Sequence, residues 1–94
     1  MGFADNVSFA HFAASRGVLP GFHPRHGAEA VELLNLIETV EEVGDKLLRA
    51  VGDEQIDYDI GMNLLERLLK CYSNPLSNSR MLMQIRIETG KLTG

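Results

Sequence analysis

Ala28-Glu29-Ala30-Val31-Glu32-Leu33-Leu34-Asn35-Leu36-Ile37-Glu38-Thr39-Val40-Glu41-Glu42-Val43-Gly44-Asp45-Lys46-Leu47-Leu48-Arg49-Ala50-Val51 is the stretch that decides the fold class. Within it Ala30, Leu33, Ile37, Val40, Gly44, Leu47 and Val51 recur at alternating steps of three and four, the spacing of one helical face. Leu34, Leu36, Val43 and Leu48 widen that seam, as in a bundle helix rather than a bare two-stranded coil. Gly44 lies in the seam. It costs the helix about 1 kcal/mol relative to Ala, and its missing side chain predicts close approach of another backbone. Glu42 and Lys46 stand four apart with the acid first, the favourable order on a helix surface.

Downstream, Gly52-Asp53 reads as an interruption, with Gly52 just past the helix end and Asp53 capping the next helix. Residues 54–72 read as that helix. Ile56, Tyr58, Ile60, Met62 and Leu64 alternate with other residues in strand fashion, but Ile60, Leu64, Leu65, Leu68, Leu69 and Tyr72 carry helical spacing. Asp53, Glu54 and Asp57 suit its positive end, Arg67 and Lys70 its negative end. The run Tyr72-Ser73-Asn74-Pro75-Leu76-Ser77-Asn78-Ser79 breaks the pattern, because Pro75 disfavours helical geometry at Asn74. Ser77 or Ser79 stands ready to cap a last helix over residues 80–89. Its apolar Met81, Leu82, Met83, Ile85 and Ile87 wrap more than one face, the pattern of a short helix buried between neighbours. Gly90 and Gly94 bracket a tail.

Upstream, Phe9, Phe12 and Ala13 share a face of a short helix within residues 4–15, with Asp5 or Asn6 as its cap. Arg16 to Gly27 holds Gly17, Pro20, Gly21 and Pro24, and Pro20-Gly21 reads as a turn. Residues 1–27 are therefore expected to be an irregular arm, ordered against a partner. The fold class is all-α: a small helical hairpin or three-helix arrangement with an irregular N-terminal arm.

Charge is distributed unevenly. Residues 1–27 carry a net +1, residues 28–66 a net −9 and residues 67–94 a net +4 within a total of −4. An acidic middle and a basic end attract each other within a chain or between copies. The basic set is small and lacks interleaved aromatics, which argues against nucleic acid. Cys71 is the single cysteine, so there is no internal disulfide and no Cys-x-x-Cys motif; flanked by Leu68, Leu69 and Tyr72 it reads as a small buried apolar residue. No apolar run is long enough to span a bilayer. The start, Met1-Gly2-Phe3-Ala4-Asp5, lacks the pattern of a cleaved leader, and Asn6 departs from the myristoylation motif.

Catalytic and metal signatures are missing. His23 and His26 flank Pro24, which keeps a regular helix from presenting them on one face, and with His11 they find no neighbouring thiolate or carboxylate. Gly90-Lys91-Leu92-Thr93 lacks the upstream glycine and the hydroxyl residue that a phosphate loop needs. Asp57 with Asp59, and Glu41 with Glu42, read as solvated helix-face acids rather than acid–base pairs. No nucleophile–base arrangement is present. The chain is not expected to be an enzyme, and no cofactor or metal is implied.

Asn74-Pro75, followed by Met81-Leu82-Met83-Gln84 and Ile85-Arg86-Ile87-Glu88-Thr89, resembles the C-terminal region of type III secretion inner-rod proteins. Gly44-Asp45-Lys46-Leu47-Leu48-Arg49-Ala50-Val51 is similar to the stretch that precedes their hairpin, so the resemblance covers roughly residues 44–94. Rod and needle subunits are built as a helix, an Asn-Pro-type turn and a second helix that packs in a helical assembly. The resemblance implies a bacterial rod- or needle-type part, exported through the apparatus it builds; the final helix of that family runs several turns beyond the Leu-Met-Gln stretch, further than a helix over residues 80–89. Without the resemblance, the same sequence reads as a cytoplasmic adaptor or chaperone-like module that binds one partner protein.

Either way the expected activity is protein–protein packing. The hairpin residues expected to carry the contact are Leu65, Leu68, Leu69, Met81, Leu82, Met83 and Ile85. Their burial would supply most of the energy, and the opposed charges would order neighbouring copies.

Overall fold

The seam of residues 28–51 forms the long central helix of a computed structural model that describes residues 8–21 and 27–94. The elements are α1 (Phe9–Ser15), α2 (Ala28–Gly52), α3 (Tyr58–Ser73) and α4 (Ser79–Thr93), and there is no strand among the described residues. The protein is all-α. Leu33, Ile37, Val40, Gly44, Leu47 and Val51 are all buried, as the three–four spacing requires, and Val43 and Leu48 join them. α2 packs against each of the other helices, and α3 and α4 also pack on one another.

α2 ends two residues later than its glycine suggests. Gly52 is its last helical residue and Asp53 its C-cap, so Asp53 does not open the next helix. Gln55 N–H bonds the Ala50 carbonyl at 2.9 Å and Glu54 N–H the Val51 carbonyl at 3.1 Å. Those two bonds make a Schellman motif, whose left-handed position is filled by Glu54 at φ 59°. Residues 53–57 are a connector rather than helix, and α3 starts at Tyr58 behind Asp57. The strand-like alternation is thereby explained. Ile56 belongs to the connector and is buried, whereas Tyr58 and Ile60 start a helix and face outward. Gly61 is buried where a side chain would collide with Val51.

The Asn74-Pro75 turn does join two packed helices. Asn78, not Ser77 or Ser79, occupies the cap position of α4. Its side-chain amide donates to the Lys70 and Asn74 carbonyls at 3.1 and 3.0 Å, so it closes the end of α3 instead of capping α4. Cys71 is buried and its thiol reaches the Asn78 carbonyl at 3.7 Å. α4 continues through Gly90 to Thr93, replacing the expected tail with another helical turn.

Residues 8–21, the described part of the N-terminal arm, hold the expected short helix, and they pack on the chain's own α2 and α3. Ser8 caps α1 by accepting from His11 N–H at 3.2 Å, and Asp45 of α2 accepts from Phe9 N–H at 2.6 Å. The caps expected at Asp5 or Asn6 lie outside the described residues. Phe9 and Ala13 are fully buried and Phe12 packs beside them. Two helical turns would not hold alone, so burial of Phe9, worth about 2–3 kcal/mol, carries α1. What approaches Gly44 is this ring, not a backbone. α1 ends in its own Schellman motif, with Gly17 at φ 75° and Val18 N–H on the Ala13 carbonyl at 2.8 Å. Beyond it, Gly21 N–H bonds the Tyr72 carbonyl at 2.8 Å, in a contact so close that a side chain at Gly21 would strike the Ser73 carbonyl.

Candidate functional site

The polar interior of this protein is small and structural. Tyr72 is buried, its ring meets Phe9 edge-on at 5.1 Å between centroids, and its hydroxyl donates to Glu41 at 2.6 Å. Burial first, then the hydrogen bond and charge of Glu41 and the charge of Asp45, hold the Tyr72 hydroxyl well above its ordinary range. Glu41 and Asp45 stand one turn apart on α2, and each takes a hydrogen bond from the α1–α3 side: Glu41 from Tyr72, Asp45 from the first amide of α1. Asp45 fixes the start of α1, and Glu41 ties α2 to α3. The Cys71 thiol is raised mainly by burial, with nearby Arg67 and a backbone hydrogen bond opposing, which makes it a poor nucleophile.

Among the described residues no group of three or more His, Cys, Asp or Glu side chains is placed to hold a metal ion. His11 is exposed on α1, and His23 and His26 lie outside the described residues. Among the described residues no helix is long and apolar enough to cross a membrane.

The hairpin residues expected to face a partner are divided by the packing. Leu65, Leu68, Leu82 and Ile85 are fully buried in the chain's own core, against α2 and each other. Leu69 and Met81 are half-buried against that core, and Met83 alone of the seven is exposed. The physical reason is the extra layer. With α2 laid across the hairpin, the strongest apolar faces of α3 and α4 are used internally, leaving outward the residues one side further round each helix.

Among the described residues apolar side chains stand outward at several places, Leu19, Tyr58 and Leu76 included; three surfaces lie along the long helices. On α2, Val31 and Leu34 are exposed beside Glu38 and Glu42. On α4, Met83 and Ile87 are exposed between Arg80 and Lys91. Between α3 and α4 a shallow cleft is lined by Ile60, Leu64 and Leu92, with Asp59, Asn63 and Glu88 at its rim. A further open depression is formed by the α2–α3 connector, including Glu54 and Asp57, with the end of α2 and the start of α3 at Tyr58.

Val31, Leu34, Tyr58, Ile60 and Ile87 were not among the residues expected at a contact. One signal in the sequence marks some of them: Val31 lies off the buried seam, and Ile87 stands one turn beyond Met83 on a helix whose other apolar residues already make a core face. No known protein family, curated protein or solved structure matches the chain.

Proposed function

We propose that this chain is a non-enzymatic helical subunit that works by packing against copies of itself, a rod- or needle-type component of a bacterial type III secretion apparatus exported through that apparatus. One observation carries the reading. The chain satisfies its own core and still presents apolar residues outward on two helices whose outer faces bear opposite charge, Val31 and Leu34 with Glu38 and Glu42 on α2, Met83 and Ile87 with Arg80 and Lys91 on α4. Apolar side chains grouped on a charged helix face form the kind of surface an assembling subunit buries against its neighbour. The helical hairpin around Asn74-Pro75 is the feature of the fold that supports the family likeness of residues 44–94. The deciding measurement is light scattering of the purified chain across a wide concentration range. Mass that grows with concentration supports the reading, and a monomer throughout rejects it.

A second reading, an adaptor that clasps one partner protein, draws on the α3–α4 cleft with Ile60, Leu64 and Leu92. It predicts one defined heterodimer and no self-association. Reduced partner capture by Ile60→Asp, with unchanged helicity, would favour it.

A further inference from the structure

We infer that the outer face of α4 in one copy docks on the outer face of α2 in the next, so that the contact is head-to-tail and open-ended. The inference rests on the assembly reading above and names its interface. Arg80, Gln84, Ile87 and Lys91 follow one another at steps of four, three and four, with Met83 beside Gln84; Val31, Asn35, Glu38 and Glu42 follow the same steps, with Leu34 beside Asn35. Each set is therefore a straight stripe of about 16 Å, at about 1.5 Å per residue. All ten residues are exposed, and each stripe lies opposite the buried face of its own helix: Leu33, Ile37, Val40 and Gly44 for α2, Leu82, Ile85 and Thr89 for α4. The α2 stripe bears two carboxylates and no base. The α4 stripe bears two bases, and its one neighbouring acid, Glu88, flanks it on the side of α3, beside Gln84, Ile87 and Lys91 as well as the α3–α4 cleft.

Unlike charge selects the pairing. α4 against α4 would bring Arg80 and Lys91 onto the same bases in either direction, and α2 against α2 would gather four carboxylates into one contact with no base to answer them. α4 against α2 avoids both: run antiparallel, it brings Met83 and Ile87 against Leu34 and Val31 and sets Arg80 beside Glu38, with Lys91 falling beyond Val31. Ile87 at 60% exposure and Val31 at 58% are the largest gains from such a contact. A contact between unlike faces is heterologous and propagates unless rotation closes it. Three turns of one helix on three turns of another make less than a standard interface, so each junction is weak and association appears at high concentration.

The test uses the full chain and sedimentation velocity, with far-ultraviolet circular dichroism to verify that each variant keeps its helices. Wild type is expected to grow in mass without a plateau, and to dissociate as salt is raised. Glu38→Lys with Glu42→Lys, and Arg80→Glu with Lys91→Glu, are each expected to self-associate at least about tenfold more weakly. An equimolar mixture of the two variants is expected to regain association, because each junction then joins opposite charges. Ile87→Ser, which leaves charge alone, is expected to weaken wild-type association by a similar factor. Wild-type growth that neither charge reversal disturbs, a mixture that stays dissociated, or a plateau at the dimer mass would overturn this interface while leaving self-assembly standing. A wild type that stays monomeric would overturn both.

Discussion

The ring of Phe9 occupies the space that a side chain at Gly44 would fill. A residue from the first helix thus explains a glycine in the middle of the second, where helix propensity disfavours it. The fit also places Phe9 edge-on to Tyr72 and sets the first amide of α1 on Asp45. Gly44→Ala gains about 1 kcal/mol of helix propensity but drives Phe9 from its seat. Overpacking of this kind costs roughly 1–3 kcal/mol, and here the cost is expected to win. Urea unfolding followed by circular dichroism should show a lower midpoint for Gly44→Ala. If the midpoint rises, Phe9 is not seated on Gly44.

Tyr72 carries an alkaline limit to stability. Its folded-state pKa lies above the ordinary Tyr value of 10.0, so the neutral hydroxyl is favoured by folding. A group raised in this way contributes fully below its unfolded pKa, and the contribution is lost as pH rises above about 10. The buried Cys71 thiol is raised from 9.0 and has the same sign. Tyr72→Phe removes a hydrogen bond to a charged acceptor and is expected to cost about 1–2 kcal/mol at neutral pH. Its stability is expected to fall less than that of wild type between pH 9 and pH 12. Thermal midpoints of wild type, Tyr72→Phe and Cys71→Ala across that range would separate the two groups; parallel curves for wild type and Tyr72→Phe would refute the assignment to Tyr72.

The sequence made α2 and the α3–α4 hairpin legible because apolar periodicity reports burial directly. Every buried position from Leu33 to Val51 lies on the seam or its predicted shoulder except Ala50. It was less informative where structure depends on contacts distant in sequence. α1 is too short to signal its stability, which comes from Gly44, Asp45 and Tyr72, at least thirty residues away along the chain. Gly90 seemed to end α4 because glycine commonly does so, yet here it sits in the helix with open space around it. Four of the expected contact residues are covered within the chain for one physical reason. Periodicity tells that Leu65, Leu68, Leu82 and Ile85 are buried, but not whether a neighbouring helix of the same chain or of another covers them.

Glu54 is the strained counterpart of Gly17. Both occupy the left-handed position of a Schellman motif, Gly17 at φ 75° after α1 and Glu54 at φ 59° after α2. For a residue with a Cβ this conformation costs roughly 1–2 kcal/mol, part of which glycine returns as extra freedom in the unfolded chain. Glu54→Gly is therefore expected to stabilise the protein by about 0.5–1 kcal/mol, raising the thermal midpoint by roughly 2–8 °C. Differential scanning calorimetry measures it. A lower midpoint would mean that the Glu54 side chain makes a stabilising contact that outweighs its backbone strain.

Thr89 shows the opposite kind of imperfection, chemical rather than conformational. It is 2% exposed on the core side of α4, and its hydroxyl has no hydrogen-bond partner among the described residues. Its carbonyl is engaged normally, accepting from the Thr93 hydroxyl at 2.8 Å. A buried hydroxyl without a partner costs about 1–3 kcal/mol. Valine has nearly the same shape, the same branching at Cβ and no hydroxyl, so Thr89→Val removes that cost without opening a cavity and leaves the Thr93 bond intact. The expected gain is about 1 kcal/mol in urea unfolding, with the slope of the transition unchanged because the buried surface is the same. Thr89→Ser gives the control: it keeps the orphaned hydroxyl and loses a buried methyl, and is expected to lose about 1 kcal/mol. If Val destabilises and Ser does not, the hydroxyl is satisfied in solution, by water or by rotation onto the Ile85 carbonyl one turn before it, and the core at α4 is wetter than its packing indicates.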